Sequence, residues 1–472
     1  MLTNNEENMK SVITTILLNF IIVVSLSQTV SNSISDEDKI LGLSTFWKEA
    51  SYNFVYFDKV PTLNWDSTYT SYIPKVLATK NLYEYYRELQ KFCALLKDGH
   101  TQVDFPIYIY DSLCSPKIKL TAIYRHAFVT NVGKSLQKEI PVGSEIIEVN
   151  GQILESYLKE YIFPYISSSS EDILWLQAIQ ENYLLSGKIN TKVVITIKKP
   201  DGKMAEVKIT RNNTNDEWAE KKEEMKTVEF KWLENNIAYV AINSFRDTGV
   251  VTKFKKILPE LYLCRGLIID IRNNSGGNDS FAQEITKYLT NKNFMNYAIK
   301  KRINNSYLRA VGSLKYLVEF TGNQICDEKI YKVYENYLTD NAWEIEEADT
   351  IINDNNEKKI IVPTAVLIGP IVQSAAEDFL VYMDKIETIT IIGQKTTGST
   401  GQGIYFKLPG GGLGVICAVR DTYSDGRNFA GYGISPAIEI NPTLQDYLNK
   451  KDLILNHAID YLKTSLKQTN KK

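Results

Sequence analysis

The hydrophobic pattern changes along the chain from helical spacing to short strand-like runs, and then to an alternation of the two. Across residues 37–98, apolar side chains recur three or four positions apart, as in Leu82, Tyr85 and Leu89. This spacing predicts a mainly helical segment. The segment ends at Lys97-Asp98-Gly99, where the glycine suits a left-handed position after a helix.

Short apolar runs over residues 113–210 predict a β-rich domain. They flank one helical pattern near residues 171–185, and Pro200-Asp201-Gly202 is typical of a hairpin turn between the last two runs. Residues 211–226 are polar and charged without an apolar period, which predicts a linker.

Strand-like and helical patterns then alternate over residues 227–462, which predicts an α/β domain. The predicted strands are residues 237–242, 267–271, 364–368, 389–392 and 413–419, and a final helix covers 452–462. Residues 341–360 are acidic and rich in asparagine, which indicates an exposed excursion from the core. Residues 463–472 are basic and are predicted to form a tail.

An apolar run near the N-terminus predicts export. Residues 12–26 form a run of 15 residues with Lys10 just ahead of it. Membrane spans need about 20 residues, whereas signal peptides have shorter apolar cores. The first eight residues carry two glutamates and no Lys or Arg, so Met9 is the expected start. We therefore expect a signal peptide at residues 1–31, with an uncleaved membrane anchor as the alternative.

Composition excludes some classes of function. The chain is 44% hydrophobic and 23% charged, with a net charge of −2, which is typical of a globular protein and argues against nucleic acid as the main partner. It has three histidines and contains no HExxH motif, so no metal site of the usual kind is expected. The five cysteines have no CxxC spacing and are expected to be isolated core residues, although one distant pair stays open. They are Cys93, Cys114, Cys264, Cys326 and Cys417.

Ser374 lies between a strand-like run and a helical pattern. The run at residues 364–368 breaks at Gly369-Pro370, and an apolar helix face begins just after the serine. A helix N-terminus offers unpaired N–H groups and a favourable dipole to a developing negative charge, as a nucleophilic serine requires. The alternative is structural, because Ser374-x-x-Glu377 is also a capping-box pattern.

A second glycine-rich turn follows the buried strand pattern of residues 267–271. Its sequence, Asn273-Asn274-Ser275-Gly276-Gly277, allows unusual backbone angles and close approach. Such a loop can present N–H groups to an anion. No phosphate-binding lysine motif or GxGxxG accompanies it, so an oxyanion donor fits better than a phosphate site.

With these motifs together, the chain resembles the tail-specific, or C-terminal processing, serine peptidases, and their tricorn-like branch in particular. The motifs that carry the resemblance are GLIIDIRNNSGG at 266–277 and GPIVQSAAEDF at 369–379, in that order. Residues 140–152, IPVGSEIIEVNGQ, are similar to a PDZ domain, a module that binds peptide ends as an added strand. The resemblance implies an α/β protein with a helical N-terminal segment at 32–112, a PDZ-like domain at 113–210 and a crotonase/ClpP-like catalytic domain at 227–462.

The resemblance also implies roles for individual residues. Ser374 would be the nucleophile, and the amides of Ala375 and of Gly276 or Gly277 would form the oxyanion hole. One branch of the family activates its serine with a lysine in a Gly-Lys-Gly turn, but here the turn reads Gly398-Ser399-Thr400. The other branch uses an upstream histidine, and His100 in LLKDGHTQV matches that motif.

The third member of the triad departs from the family pattern. Related enzymes place a glutamate in a late loop, where this chain has Ala430. Asp425, Asp421, Glu377 or a backbone carbonyl could orient His100 instead. Glu377 is equally well explained as a capping-box residue, and Asp425 as a turn residue before Gly426.

The expected function is an exported serine endopeptidase, periplasmic or secreted, that needs no cofactor. Protein or peptide chains would be its substrates, and no membrane span is expected after signal removal. Two alternatives stay open. The first is a catalytically silent peptide-binding protein on the same scaffold. The second is an esterase or another crotonase-like acyl-transfer enzyme, which the PDZ-like insert disfavours.

Overall fold

The computed structural model describes residues 33–180, 183–212, 216–221, 225–321, 328–338 and 342–469. The predicted signal peptide and Cys326 lie outside these residues. The helices are α1 (Asp36–Asn53), α2 (Trp65–Leu77), α3 (Leu82–Ala94), α4 (Ile107–Tyr110), α5 (Leu154–Tyr157), α6 (Glu171–Gln180), α7 (Val250–Leu261), α8 (Asp279–Thr286), α9 (Ser306–Gly312), α10 (Leu314–Thr321), α11 (Glu328–Lys332), α12 (Glu335–Leu338), α13 (Ala375–Met383), α14 (Leu444–Leu448) and α15 (Leu453–Thr469).

The strands fall into several small sheets and two large ones. They are β1 (Gln102–Asp104), β2 (Leu113–Cys114), β3 (Ile118–Ile123), β4 (His126–Val132), β5 (Glu145–Val149), β6 (Gln152–Ile153), β7 (Gly187–Lys188), β8 (Lys192–Lys198), β9 (Met204–Thr210), β10 (Val228–Leu233), β11 (Ile237–Ile242), β12 (Gly266–Asp270), β13 (Phe294–Met295), β14 (Ala298–Arg302), β15 (Trp343–Glu346), β16 (Thr350–Ile351), β17 (Thr364–Ile368), β18 (Ile389–Gly393), β19 (Gly403–Lys407), β20 (Leu413–Cys417), β21 (Val419–Thr422) and β22 (Ile438–Glu439).

The N-terminal segment is helical, as predicted, and packs around aromatic side chains. Phe46 of α1, Trp65 of α2 and Phe92 of α3 meet in one buried cluster, where the rings of Trp65 and Phe92 stack 4.3 Å apart. Burial of large aromatic rings contributes most of the stability of such a small bundle. Helix α3 ends at Ala94 and the left-handed residue is Lys97, with φ 51°. The sequence expectation that Gly99 takes the left-handed conformation is therefore wrong.

The β-rich module has its own sheet and core. Its strands run in the order β3-β4-β5-β8-β9, with β6 paired to β5. Strands β8 and β9 form an antiparallel hairpin that turns at Gly202, with φ 84°, as the sequence predicts. Apolar side chains from the sheet pack against Trp175 and Ile179 of α6.

The last domain is a three-layer α/β structure, and the predicted α/β fold class is confirmed. Its central sheet has the order β10-β11-β12-β17-β18-β22, in which β11, β12, β17, β18 and β22 are parallel. Leu267 and Ile269 of β12 pack on one face with α7, α8 and α13, whereas Ile268 packs on the other face with α15. This burial on both faces explains why β12 is an uninterrupted apolar run.

Two peripheral segments differ from the sequence expectation. The acidic stretch at residues 341–360 contains β15 and β16, which pair with β14 and β13, so it is tied to the domain rather than only an excursion. Helix α15 continues to Thr469, so residues 463–469 are helical rather than part of a tail. Leu466 is buried against the central sheet, which gives the physical reason for the extension.

A small sheet joins the N-terminal segment to the last domain. Strand β1 pairs antiparallel with β20 in the register Gln102↔Val415, and β19 completes the sheet. The buried hydroxyl of Tyr86 donates to Pro409 O (2.7 Å) and accepts from Gly412 N (2.8 Å). These contacts hold the end of the first helical region against the last domain.

The described cysteines and helices add two facts. Cys93, Cys114, Cys264 and Cys417 are buried and form no disulfide, which confirms for these four that they are core residues. None of the helices within the described ranges is long and apolar enough to cross a membrane.

Removal of the Tyr86 hydroxyl is expected to weaken the junction. In Tyr86→Phe, a buried N–H and a buried C=O lose their partner, which costs about 1–3 kcal/mol. The shift of the urea unfolding midpoint measures this loss. Tyr108→Phe is the matched control, because Tyr108 makes only an exposed 3.3 Å bond to Gly410 O in the same loop, and its loss is expected to be below about 0.5 kcal/mol. Equal effects of the two substitutions would contradict the anchoring role of Tyr86.

Candidate active site

Ser374 occupies a strained turn between a buried strand and a helix. Its backbone has φ 54° and ψ −136°, immediately before the first residue of α13. A non-glycine residue in this region costs about 1–3 kcal/mol and persists only where the surroundings impose it. The side chain makes no capping hydrogen bond, so the capping-box explanation of this serine is wrong. A nucleophile carried on a strained strand-to-helix turn is a recurrent arrangement in hydrolases.

The glycine loop after β12 lies directly against this turn. Gly276 and Gly277 have φ values of 91° and 143°. A Cβ on Gly276 would lie 2.7 Å from Ser374 Cβ and 3.2 Å from Ala375 N, so only glycine allows the two backbones to touch. Gly277 is confined in the same way by Phe245, whose backbone a Cβ would meet at 2.2 Å.

Hydrogen bonding in this region shows which backbone N–H groups are still available as oxyanion donors. The N–H of Gly276 donates to Asn274 Oδ1 at 2.9 Å, so this amide is already used. Neither the Gly277 N–H nor the Ala375 N–H donates to an acceptor in the part of the chain that the structure describes. Of the alternatives left by the sequence, Gly277 is therefore the better donor beside Ala375.

Glu377 does not complete a capping box with Ser374. It holds the turn at residues 396–399 instead. Its fully buried carboxyl accepts hydrogen bonds from Thr396 Oγ1 (2.5 Å), Gly398 N (2.8 Å) and Ser399 N (3.0 Å). Burial raises the pKa of Glu377 to about 8, and the three hydrogen bonds oppose that rise. The carboxyl thus holds the turn in which the other branch of the resembled family would carry a lysine.

His100 reaches this turn from the N-terminal segment. Its Nδ1 lies 2.6 Å from Ser399 Oγ, while the N–H of Ser374 donates to Ser399 O at 2.8 Å. The predicted base and the predicted nucleophile therefore converge on one residue. Burial lowers the pKa of His100, and the nearby Asp98 carboxylate partly offsets this effect.

The candidate orienting acids bond elsewhere. Asp425 lies in an exposed turn and pairs with Arg427 at 2.9 Å. Asp421 is buried, accepts a hydrogen bond from Thr400 Oγ1 (3.1 Å), and has its pKa raised to about 7 by that burial. Within the described ranges, His100 donates no hydrogen bond to either carboxylate or to Glu377.

This chain has Ala430 at the position where related enzymes have a glutamate. The carbonyl of Ala430 accepts a hydrogen bond from Lys59 Nζ at 2.7 Å, and a Cβ on Gly431 would lie 1.6 Å from that nitrogen. Burial lowers the pKa of Lys59 to about 8. An ammonium group from the N-terminal segment therefore lies beside this loop.

The site opens into a cleft that all three parts of the chain line. Its volume is about 840 Å³. His100 and Gln102 come from the N-terminal segment, Tyr157 comes from the β-rich module, and Gln373 and Ser399 come from the last domain. Within the described residues, no group of three or more His, Cys, Asp or Glu side chains could hold a metal ion.

Sequence reasoning missed Ser399, Asp98 and Lys59. Ser399 was recognised only as the residue that replaces a lysine, and its contact with His100 joins positions 299 residues apart. The Ser–Thr-rich turn carries no periodic signal that would have indicated a partner for a histidine.

Comparison with known proteins gives one family match and several similar folds. Residues 236–440 match peptidase family S41. The fold is similar to mature CPAF in complex with lactacystin, with a TM-score of 0.67 and 14% identity over 92% of this chain and 98% of that chain. It is also similar to a putative peptidase from Parabacteroides merdae, with a TM-score of 0.50 and 17% identity over 91% of this chain and 97% of that chain. At these identities the likenesses show the fold alone. No match was found among curated proteins.

The buried carboxyl of Glu377 is expected to make stability depend on pH. An unfolded glutamate ionises near pH 4.3, whereas folded Glu377 keeps its proton up to about pH 8. Between these values the unfolded state loses the proton first, so the free energy of unfolding falls as the pH rises. Glu377→Gln has no such proton, and the stability difference between variant and wild type should move in favour of the variant from pH 5 to 8. A constant difference in urea titrations at both pH values would contradict the assignment.

The strained serine, the touching glycine loop and the loop held by Glu377 all lie inside residues 236–440. Residues 236–440 therefore match peptidase family S41, and the chain is similar to the tail-specific serine peptidases.

Proposed function

We propose that this protein is an exported serine endopeptidase that cleaves unfolded or chain-end-presented proteins, with Ser374 as nucleophile and His100 as general base. The observation that carries the proposal is the meeting of three separate segments at one turn. Ser374 N–H and His100 Nδ1 both bond to Ser399, and Gly276 packs against Ser374 Cβ. A nucleophile, a base and amide donors brought together around one turn are the parts that acyl transfer requires.

The reaction would proceed through an acyl-enzyme. His100 accepts the proton of the Ser374 hydroxyl as Oγ attacks the scissile carbonyl, and later gives that proton to the leaving amine. The amides of Ala375 and Gly277 donate to the oxyanion of the tetrahedral intermediate. Removal of one such donor costs about 3 kcal/mol of barrier in comparable sites.

The shape of the cleft supports a polypeptide substrate. A cavity of about 840 Å³ is lined in part by Tyr157, Tyr161 and Tyr165, which all come from the β-rich module. Tyrosine rings provide apolar contact area together with a polar tip, which suits an extended chain. The PDZ-like module would hold a chain end beside Ser374. Export rests on the apolar run at residues 12–26.

A catalytically silent peptide-binding protein is the second candidate. It is favoured by Ala430 and Lys59, which stand where related enzymes have an acid. The loss of an orienting acid weakens a triad without abolishing catalysis, so we prefer the peptidase.

Labelling by a fluorophosphonate probe distinguishes the two candidates. We expect the wild type to be labelled and to cleave an unfolded protein, and Ser374→Ala and His100→Ala to lose about 10³-fold or more of both activities. Ser71→Ala, an exposed serine in α2, serves as the control and should retain both. Absence of labelling in the folded wild type would favour the binding protein.

The pH profile tests His100 as the base. Only a neutral imidazole accepts the serine proton, so kcat/KM should rise as His100 loses its own proton. Burial lowers the pKa of His100, so the midpoint of this rise is expected below about 6.5, the ordinary histidine value. Asp98→Asn removes the charge that opposes the shift and should move the midpoint lower still. A midpoint above 6.5 in the wild type would exclude His100 as the titrating base.

A further inference from the structure

We propose that Ser399 is the positioning residue for His100, and takes at Nδ1 the place that a carboxylate holds in a Ser–His–Asp triad. The inference rests on the proposed function, which makes His100 the base. It adds a role that the resemblance does not supply, because there the orienting group is a glutamate in a different loop.

The hydrogen bond at Nδ1 determines which nitrogen is basic. The Ser399 hydroxyl lies 2.6 Å from Nδ1 and can accept a hydrogen bond from an Nδ1–H group. In that arrangement the lone pair lies on Nε2, which is the nitrogen that serves as base in such triads. The Ser399 side chain is only 3% exposed, so water competes weakly for this bond.

Ser399 is itself held in place by backbone hydrogen bonds to Glu377 and to Ser374. Its N–H donates to the buried carboxyl of Glu377 at 3.0 Å, and its carbonyl accepts from Ser374 N–H at 2.8 Å. The residue that contacts the base is therefore bonded directly to the backbone of the nucleophile. A residue that orients a catalytic side chain must itself be held by such hydrogen bonds.

Gly99, which precedes His100, leaves room for the contact between His100 and Ser399. A Cβ on Gly99 would lie 2.7 Å from Ser399 Oγ and 3.4 Å from Ser169 Oγ. Gly99 does not have a positive φ, so its lack of a side chain serves close approach rather than a backbone conformation. The missing Cβ leaves the room that Ser399 Oγ occupies beside His100.

The Asp98 carboxylate influences His100 through its charge. The Asp98 carboxylate accepts the Thr101 hydroxyl at 2.6 Å, and it affects His100 through its charge. A neutral hydroxyl stabilises an imidazolium less than a carboxylate does. Loss of the hydroxyl should therefore cost less than loss of a triad aspartate, which lowers kcat about 10⁴-fold.

The first test measures the tautomer. The chain has three histidines, so selective ¹⁵N labelling of imidazoles gives a simple spectrum, in which His126→Gln and His457→Gln assign the His100 signals. The wild type should show His100 protonated at Nδ1 at pH 8. Ser399→Ala should show a mixture of tautomers, and Ser399→Thr, which keeps a hydroxyl, should return to the Nδ1–H form.

The second test measures kinetics with the full-length protein and an unfolded protein substrate. Ser399→Ala is expected to lower kcat about 10–100-fold with KM unchanged, and fluorophosphonate labelling should slow by the same factor. Gly99→Ala should have a similar effect, because its methyl group displaces Ser399 Oγ. Gly266→Ala is the matched control, since its Cβ would meet neighbours no closer than 3.6 Å, and it should keep the wild-type rate.

The outcomes separate the inference from the proposed function. If Ser374→Ala and His100→Ala abolish activity but Ser399→Ala keeps both the tautomer and kcat, the inference fails and the peptidase assignment stands. If the wild type has no activity, the tautomer spectra still decide whether Ser399 orients His100. An Nε2–H tautomer in the wild type would overturn the inference.

Discussion

The pairing of β1 with β20 is the constraint on which the candidate site depends. Three residues of the N-terminal segment enter a sheet of the last domain in the register Gln102↔Val415 to Asp104↔Leu413. The N–H of Cys417 donates to Thr101 Oγ1 (3.0 Å), and this bond extends the contact to the residue before the strand. Because backbone hydrogen bonds fix the direction and register of a strand, the residues just before β1 have little freedom. His100 is one of them, and it is carried to the cleft by a sheet rather than by a flexible loop.

The nucleophile side of the site depends on a different kind of constraint. Ser374 is held in a strained conformation by contacts on both sides, since Gly276 packs against its Cβ and the Ser399 carbonyl binds its N–H. Glu377, one turn into α13, then fixes the Ser399 loop with a buried carboxyl. Burial of this group is unfavourable unless its hydrogen bonds are satisfied. A single helix start thereby positions the candidate nucleophile and the loop that meets the histidine.

At this site, the charged group that each of the two branches of the resembled family carries is absent. The turn that carries a lysine in one branch of the resembled family contains Ser399, and the loop that carries a glutamate in the other branch contains Ala430 with Lys59 beside it. The observed hydrogen bond of the His100 ring is to the neutral hydroxyl of Ser399. The buried surroundings strengthen such contacts, because hydrogen bonds inside a protein compete less with water.

The sequence by itself determined the layers of the fold and the position of the candidate nucleophile at a helix start. The uninterrupted run in β12 required burial on both faces, the period of α13 located Ser374 at a helix start, and Gly276-Gly277 indicated close approach, since these are local consequences of side-chain pattern and glycine geometry. Only the tertiary structure showed which groups these side chains contact. Ser374 proved not to be a cap, Glu377 turned to a loop some twenty residues on, Asp425 paired with Arg427, and His100 met Ser399. Contacts between residues 299 positions apart follow from how strands register across domains, and no local pattern encodes that register.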